Sequence, residues 1–133
     1  MNKDGKYVVL LVDDDNNLRE IIKAKLEAVD FYVIEAKDGE DGVKKVKENK
    51  PDLVLMDVQM PNMNGIEALS IIKSDFETRN TKVLFLTNYG EENTADTNID
   101  DKFAKEAGAV GHLKKTDDLG KIIDRVKQEL AVS

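Results

Sequence analysis

Five short apolar runs alternate along the chain with longer stretches in which apolar residues recur every three or four positions. A strand buried on both faces gives an unbroken apolar run, and a helix packed on a sheet gives an apolar stripe with that spacing. The alternation therefore predicts an α/β fold, a doubly wound parallel sheet with helices on both faces. The predicted strands are Tyr7 to Val12, Phe31 to Glu35, Leu53 to Met56, Val83 to Leu86 and Val110 to Leu113.

Four helical stretches carry a recognisable apolar stripe, and three of them have N-cap or boundary signals. The first has Asp15, Asn16 or Asn17 as N-cap, and the second runs from about Asp38 to Asn49, before Pro51. The third opens at Asn64 or Gly65, and the last opens at Thr116. Their predicted apolar positions are Leu18, Ile21, Ile22, Leu26 and Val29; Val43 and Val46; Ile66, Leu69, Ile72 and Phe76; and Leu119, Ile122, Ile123, Val126 and Leu130.

Composition limits the classes of function. A length of 133 residues suits one domain, 1–133, and the sequence shows no linker or further stretch that would form an output domain. Twenty basic residues against 27 acidic ones give a net charge of -7, which disfavours direct binding to nucleic acid or to anionic membranes. The chain has no cysteine, and its N-terminal apolar run of six residues is too short for a signal peptide or a membrane span, so we expect a cytoplasmic protein.

Polar residues follow four of the predicted strands. Strand one ends in Asp13, Asp14 and Asp15, strand three in Asp57, and strand four in Thr87, while Lys114 and Lys115 follow strand five. In an open doubly wound sheet, ligands bind outside the carboxyl ends of the strands. Carboxylates brought so close repel one another unless a cation lies among them, and oxygen ligands without nearby histidine or cysteine favour Mg²⁺. An aspartate beside a metal, a hydroxyl and an ammonium group is suited to forming an acyl phosphate, and Asp57 is the predicted nucleophile.

From about Tyr7 to Leu130 the sequence resembles the receiver domains of two-component response regulators, including the small chemotaxis type. The resemblance rests on four segments in order: LLVDDD at 10–15, DLVLMDVQMPNMNG at 52–65, FLTN at 85–88 and AGAVGHLKK at 107–115. It implies a flavodoxin-like sheet with strand order 2-1-3-4-5. It also implies a role for each residue that matches a family motif.

By this resemblance, Asp13 and Asp14 bind magnesium directly or through water, and Asp57 accepts the phosphoryl group. The backbone carbonyl of Gln59 completes the metal shell. Thr87 is the switch hydroxyl that binds a phosphoryl oxygen, and Lys115, rather than Lys114, is the phosphoryl-binding lysine.

The implied function is a phosphorylation-controlled binding module rather than a turnover enzyme. A sensor histidine kinase or histidine phosphotransfer protein phosphorylates Asp57, and the face from helix 4 to helix 5 engages a downstream protein. Two alternatives stay open: a phosphorylation-independent interaction domain, and an aspartyl-phosphate phosphatase. The phosphatase family places a second aspartate two residues after the nucleophile, where this chain has Gln59.

The sequence departs from the family pattern in three places. Thr116 replaces a proline that follows a cis bond, so we predict that the 115–116 bond is trans, or is cis and held by the site. His112 replaces the switch aromatic residue, which weakens the coupling to Thr87 or makes it sensitive to pH. The polar segment from Asn88 to Asp101 exceeds the usual strand-to-helix connection, and we predict that it is mobile. Tyr89, in this segment, is predicted to tune hydrolysis of the acyl phosphate together with Gln59.

Overall fold

The computed structural model describes residues 1–2, 4–87, 101–115 and 118–131, with the backbone alone at 101. Strands and helices alternate along these residues, and each predicted strand is present with ends shifted by no more than one residue. The elements are β1 (Val8–Val12), α1 (Asn16–Ala28), β2 (Tyr32–Ala36), α2 (Gly39–Asn49), β3 (Leu53–Asp57), α3 (Gly65–Ser74), β4 (Lys82–Thr87), α4 (Asp101–Ala107), β5 (Gly111–Lys114) and α5 (Leu119–Glu129).

The strands form a five-stranded parallel sheet in the order β2-β1-β3-β4-β5. This confirms the predicted fold class and strand order. The register aligns the carboxyl ends, because Val12 lies opposite both Ala36 and Met56, and Thr87 lies opposite Lys114. Residues that end or follow β1, β3, β4 and β5 therefore meet at one edge of the sheet.

Each face of the sheet has its own apolar core. Leu10 and Val12 of β1 pack on the side of α2, α3 and α4, whereas Val9 and Leu11 pack on the side of α1 and α5. All four side chains are almost fully buried, which explains why the strand sequence is an unbroken apolar run. Each such side chain contributes roughly 1.5–3 kcal/mol through burial, so the strand ends are fixed on a rigid platform.

The predicted helix starts are confirmed for α1 to α3, and the predicted start of the last helix is wrong. Asp15 caps α1 by accepting hydrogen bonds from the N–H groups of residues 17 and 18, and Asn64 forms a capping box with Glu67 at α3. The last helix begins at Leu119 rather than Thr116, because Asp118 has a non-helical ψ of 136° and its side chain accepts the N–H of Gly120 as the N-cap.

Three predicted apolar positions, Ile21, Val29 and Phe76, do not belong to the core. Helix α3 ends at Ser74, and Phe76 lies beyond it with 79% of its surface exposed and the guanidinium of Arg79 4.7 Å from the ring centre. Ile21 of α1 is half exposed, and Ile22 and Leu26 are the buried residues of that helix. Gly108 follows α4 with φ +105°, as expected of a residue that ends a helix.

Three predictions fall outside the described residues. These are the mobility of the 88–100 segment, the role of Tyr89, and the geometry of the 115–116 bond, which involves Thr116.

Candidate functional site

The edge formed by the strand ends brings together the acidic residues singled out in the sequence. Asp13 and Asp14 follow β1, and Asp57 is the last residue of β3. Their carboxylate oxygens lie within 4.8 Å of one another. Asp13 and Asp57 are 0% and 1% exposed, whereas Asp14 is exposed. The three carboxylates therefore share one mouth, with two at its base and one at its rim.

Lys115 supplies positive charge to the base of this mouth. Its Nζ lies 3.0 Å from Oδ2 of Asp13 and 3.0 Å from Oδ2 of Asp57, and its side chain is only 12% exposed. The backbone fixes this position, because the N–H of Lys115 donates to the carbonyl of Thr87 at 2.8 Å. Lys114, one residue earlier, is exposed. The geometry therefore supports the choice of Lys115 over Lys114 for the site.

Burial and mutual repulsion perturb the ionisation of these groups. Burial, reinforced by the charge of Asp13, raises the pKa of Asp57 from 3.8 to about 7. Burial also raises the pKa of Asp13, although hydrogen bonding to the N–H of Asp15 and the charge of Lys115 oppose the shift. For Lys115, burial alone lowers the pKa, but the charges of Asp57 and Asp13 outweigh it, so the pKa is raised. The three carboxylates thus carry more negative charge than the single ammonium group of Lys115 can neutralise.

Comparisons with known proteins agree with this geometry. The sequence profile of the response regulator receiver domain matches residues 9–127. The chain belongs to this family. It is 33% identical over 123 residues to protein PilH of Pseudomonas aeruginosa, with 92% of this chain and 97% of PilH covered.

A longer relative and a solved structure give the same result. Transcriptional regulatory protein YdfI of Bacillus subtilis is 39% identical over 109 residues, with 80% of this chain and 47% of YdfI covered. The chain spans about half the length, or less, of several such relatives. The response regulator domain of Thermotoga maritima CheB superposes with a TM-score of 0.78 at 32% identity, with 96% of this chain and 98% of that chain covered. The receiver domain of two-component signalling is thus the shared unit.

The acidic mouth of this receiver domain fits a hard divalent cation. Oδ2 of Asp13 and Oδ2 of Asp57 are buried and accept no hydrogen bond from the described part of the chain, so their contacts with Lys115 are ion pairs. The two carboxylates thus share the charge of one ammonium group, and a magnesium ion takes such oxygens as ligands. Asp14 at the rim offers a third carboxylate. The donor set is therefore compatible with the predicted Mg²⁺ site.

Gln59, Thr87 and His112 have defined positions, and their roles stay predictions. The N–H of Gln59 donates to Oδ1 of Asp57 at 3.3 Å, and its side chain is exposed. The Thr87 hydroxyl is buried and donates to the carbonyl of Leu113 at 3.3 Å. His112 lies on β5 opposite Phe85 and is partly buried. Thr87 and the phosphoacceptor candidate therefore end adjacent strands.

The sequence analysis missed the residues that hold the loop after Asp57. A Cβ at Gly65 would collide with the carbonyl of Asp57, and a Cβ at Gly39 would collide with the carbonyl of Met63. Both glycines thus let the loop lie directly against its neighbours. Asp38, the N-cap of α2, also accepts a hydrogen bond from the Asn62 amide at 3.3 Å. The sequence indicated Gly65 only as the start of a helix, and no sequence signal predicts the hydrogen bond between residues 38 and 62.

None of the helices within the described residues is long and apolar enough to cross a membrane.

Proposed function

We propose that this receiver domain accepts a phosphoryl group on Asp57 from a phosphohistidine of a sensor histidine kinase or a histidine phosphotransfer protein. The observation that carries the proposal is the position of the Asp57 carboxylate. It lies at the base of an acidic mouth, within 4.8 Å of two further carboxylates and 3.0 Å from Lys115 Nζ. Such mutual repulsion of carboxylates is costly and is typical of functional sites. A phosphoacceptor site needs a nucleophile together with groups that neutralise charge.

The transfer follows from the geometry of the carboxylate. An oxygen of Asp57 forms the new O–P bond, and the P–N bond of the donor breaks with its electron pair retained by the imidazole nitrogen. Lys115 stays protonated because its pKa is raised, so it is available to pair with a phosphoryl oxygen. The Gln59 N–H holds Oδ1 of Asp57 in place during the approach.

The metal ligands in this proposal are Asp13, Asp14, Asp57 and the backbone carbonyl of Gln59. When bound there, Mg²⁺ would offset the mutual repulsion of the carboxylates and neutralise charge on the transferring phosphoryl oxygens.

The same proposal assigns the output to the face formed by α4, β5 and α5. Thr87 ends β4 and donates to the carbonyl of Leu113 on β5, so its hydroxyl links the strand end beside Asp57 to β5. If the hydroxyl turns toward a phosphoryl oxygen, that link to β5 is released. His112 lies on β5 next to this contact, and a downstream protein would sense the change on this face.

Intact mass spectrometry after acetyl phosphate treatment tests the proposal. The wild-type chain is expected to gain one phosphoryl mass with Mg²⁺ and none with EDTA. Asp57→Asn is expected to gain none, and the matched control Asp30→Asn, at an exposed position, is expected to behave as wild type. Labelling that persists in Asp57→Asn would overturn the assignment of the acceptor.

The two alternatives predict different outcomes, one in this mass assay and one in a separate assay of phosphomonoester hydrolysis. A correctly folded wild-type chain that takes no label with Mg²⁺ would favour a phosphorylation-independent interaction domain. Steady turnover of a phosphomonoester would favour a phosphatase, and residue 59 is a glutamine with an exposed side chain, which offers no general acid.

A further inference from the structure

Arg19 reaches from the first turn of α1 to the backbone of the acidic mouth. Its Nη1 donates to the carbonyl oxygen of Asp13 at 2.7 Å, and its Nη2 donates to Oδ1 of Asn16 at 2.6 Å. The side chain is only 15% exposed, although arginine is usually a surface residue. One donor of the guanidinium therefore binds a backbone carbonyl at the site, while a second donor binds a side chain of the same helix.

Asp13 is held from three directions, and Arg19 supplies one of them. The N–H of Asp13 donates to the carbonyl of Ala36 at 3.1 Å, and its Oδ1 accepts the N–H of Asp15 at 2.9 Å. The contact with Arg19 fixes the carbonyl. Because N–H, carbonyl and side chain are all restrained, the direction of the Oδ2 atom that faces Asp57 is restrained too.

Glu35 in turn holds Arg19. Its Oε1 lies 3.3 Å from Arg19 Nε, and its Oε2 lies 3.2 Å from Lys23 Nζ. Although burial alone raises it, the hydrogen bonds from Lys23 and Arg19 lower the pKa of Glu35, so the carboxylate stays charged at neutral pH. The carbonyl of Glu35 accepts Lys45 Nζ at 2.6 Å, which ties the edge strand β2 to α2. A chain of contacts thus runs from the sheet edge through Arg19 to Asp13.

We propose that Arg19 is a positioning residue for the cation site, which fixes the backbone at Asp13 so that its carboxylate and that of Asp14 present their oxygens to the metal, with Glu35 as its anchor. This inference rests on the proposed function, since it concerns the Mg²⁺ that the proposal requires. It adds two residues, 19 and 35, to which the sequence motifs assign no part in the site.

The sign of the effect separates positioning from simple electrostatics. A guanidinium beside a cation site repels the cation, so removing its charge would by Coulomb's law strengthen Mg²⁺ binding. Loss of a positioning contact has the opposite effect, because residues that orient metal ligands typically contribute at least tenfold to affinity. Arg19→Met removes charge and fork together, whereas Arg19→Lys keeps the charge and loses the fork.

The experiment is a calorimetric titration of MgCl₂ into the unphosphorylated chain, with wild type, Arg19→Met, Arg19→Lys, Glu35→Gln and Lys23→Met compared in one buffer. Both Arg19 variants are expected to weaken Mg²⁺ binding about tenfold. Glu35→Gln is expected to weaken it less, because it loosens Arg19 without removing the fork. Lys23→Met is the matched control, since Lys23 contacts the same carboxylate but not Asp13, and its affinity is expected to equal that of wild type.

Urea unfolding of each variant in EDTA accompanies the titrations. A purely structural role would lower stability and leave the Kd of the folded protein unchanged. Unchanged or tighter Mg²⁺ binding in both Arg19 variants would overturn the inference while leaving the proposed function intact. Failure of the wild type to bind Mg²⁺ would overturn both. If the Arg19 variants do not fold, Glu35→Gln decides, and binding equal to that of Lys23→Met would refute the anchor and the inference with it.

Discussion

Asp57→Asn should stabilise the metal-free protein at alkaline pH, because the substitution removes a buried negative charge that its surroundings disfavour. Asp57 is 1% exposed, and its pKa is raised from 3.8 to about 7. The unfolded chain loses its proton near the ordinary value, whereas the folded chain retains it until about pH 7. Folding is therefore penalised as the pH rises through this window, and the penalty is complete above it.

The size of the penalty follows from the two pKa values. A rise from 3.8 to about 7 corresponds to about 4 kcal/mol at pH 8. Asparagine resembles the protonated carboxyl in having no charge, and the pKa of about 7 already includes the attraction of Lys115, so the substitution should recover most of this penalty. We therefore expect Asp57→Asn to raise the free energy of unfolding by about 4 kcal/mol at pH 8, which is a large fraction of the stability of a small domain.

Urea unfolding followed by circular dichroism in EDTA measures this difference at pH 8 and at pH 5. The advantage of Asp57→Asn should shrink to less than half at pH 5, since the wild-type carboxyl is then protonated in the folded state. Asp14→Asn is the control: Asp14 is exposed, and its substitution should change stability much less. A variant no more stable than wild type at pH 8, or an advantage that does not depend on pH, would refute the reasoning.

Three further pairs of substitutions, each a test and its control, probe the packing around the site by urea unfolding. Gly65→Ala should lower the free energy of unfolding by ~3 kcal/mol, because the new Cβ would collide with the carbonyl of Asp57. Its control, Gly120→Ala, should not destabilise the protein, because the new Cβ would meet only the flexible side chain of Asp118. Asp38→Ala should lose about 1–2 kcal/mol through the lost N-cap of α2, and Asp38→Asn should recover most of it; equal losses would argue against the cap. Thr87→Val should lose about 1 kcal/mol through the hydrogen bond to β5, which Thr87→Ser retains; a neutral Thr87→Val would show that the bond is unimportant in the unphosphorylated state.

The central strands β1, β3 and β4 were predictable because each is buried on both faces and so appears as an unbroken apolar run, whereas the edge strands β2 and β5 are only partly buried. The parallel arrangement follows from the helical stretches between them, and these two facts fix the edge at which the site forms. The errors occurred where apolar residues do not enter the core. Phe76 continued the spacing of α3 in the sequence, but the chain turns at Asp75 and the Thr78 hydroxyl donates back to the carbonyl of Ile72 at 2.7 Å.

The start of α5 illustrates a second limit. Thr116 and Asp118 are both good N-cap residues, and the sequence offers no means of choosing between them. The structure chooses Asp118, whose side chain accepts the N–H of Gly120. Asp118 acts as the cap because its ψ of 136° is non-helical, and such an angle cannot be read from composition.

Within the site, the groups that follow strands could be predicted, and those that hold the backbone could not. Asp13, Asp57 and Lys115 each end or directly follow a parallel strand, and topology brings them together at one edge of the sheet. Arg19 and Glu35 belong to a helix and an edge strand, and their contacts run from side chain to backbone or across elements. The one available signal was Glu35 itself, a charged residue at the end of an otherwise apolar run.

The strand-end residues could be predicted and the residues that hold the backbone could not, and the reason is the repulsion between the buried carboxylates. The buried carboxylates oppose folding, so they persist only where the sheet and its hydrogen bonds hold them against their repulsion. The core residues of β1 and β3 supply the platform, and Lys115 offsets part of the charge. Contacts to the backbone, such as that of Arg19 with the carbonyl of Asp13, hold the carboxylates in place against the repulsion that Lys115 does not offset. A receiver domain that neutralised these carboxylates fully with protein groups would leave no oxygen for a cation and no acceptor for a phosphoryl group.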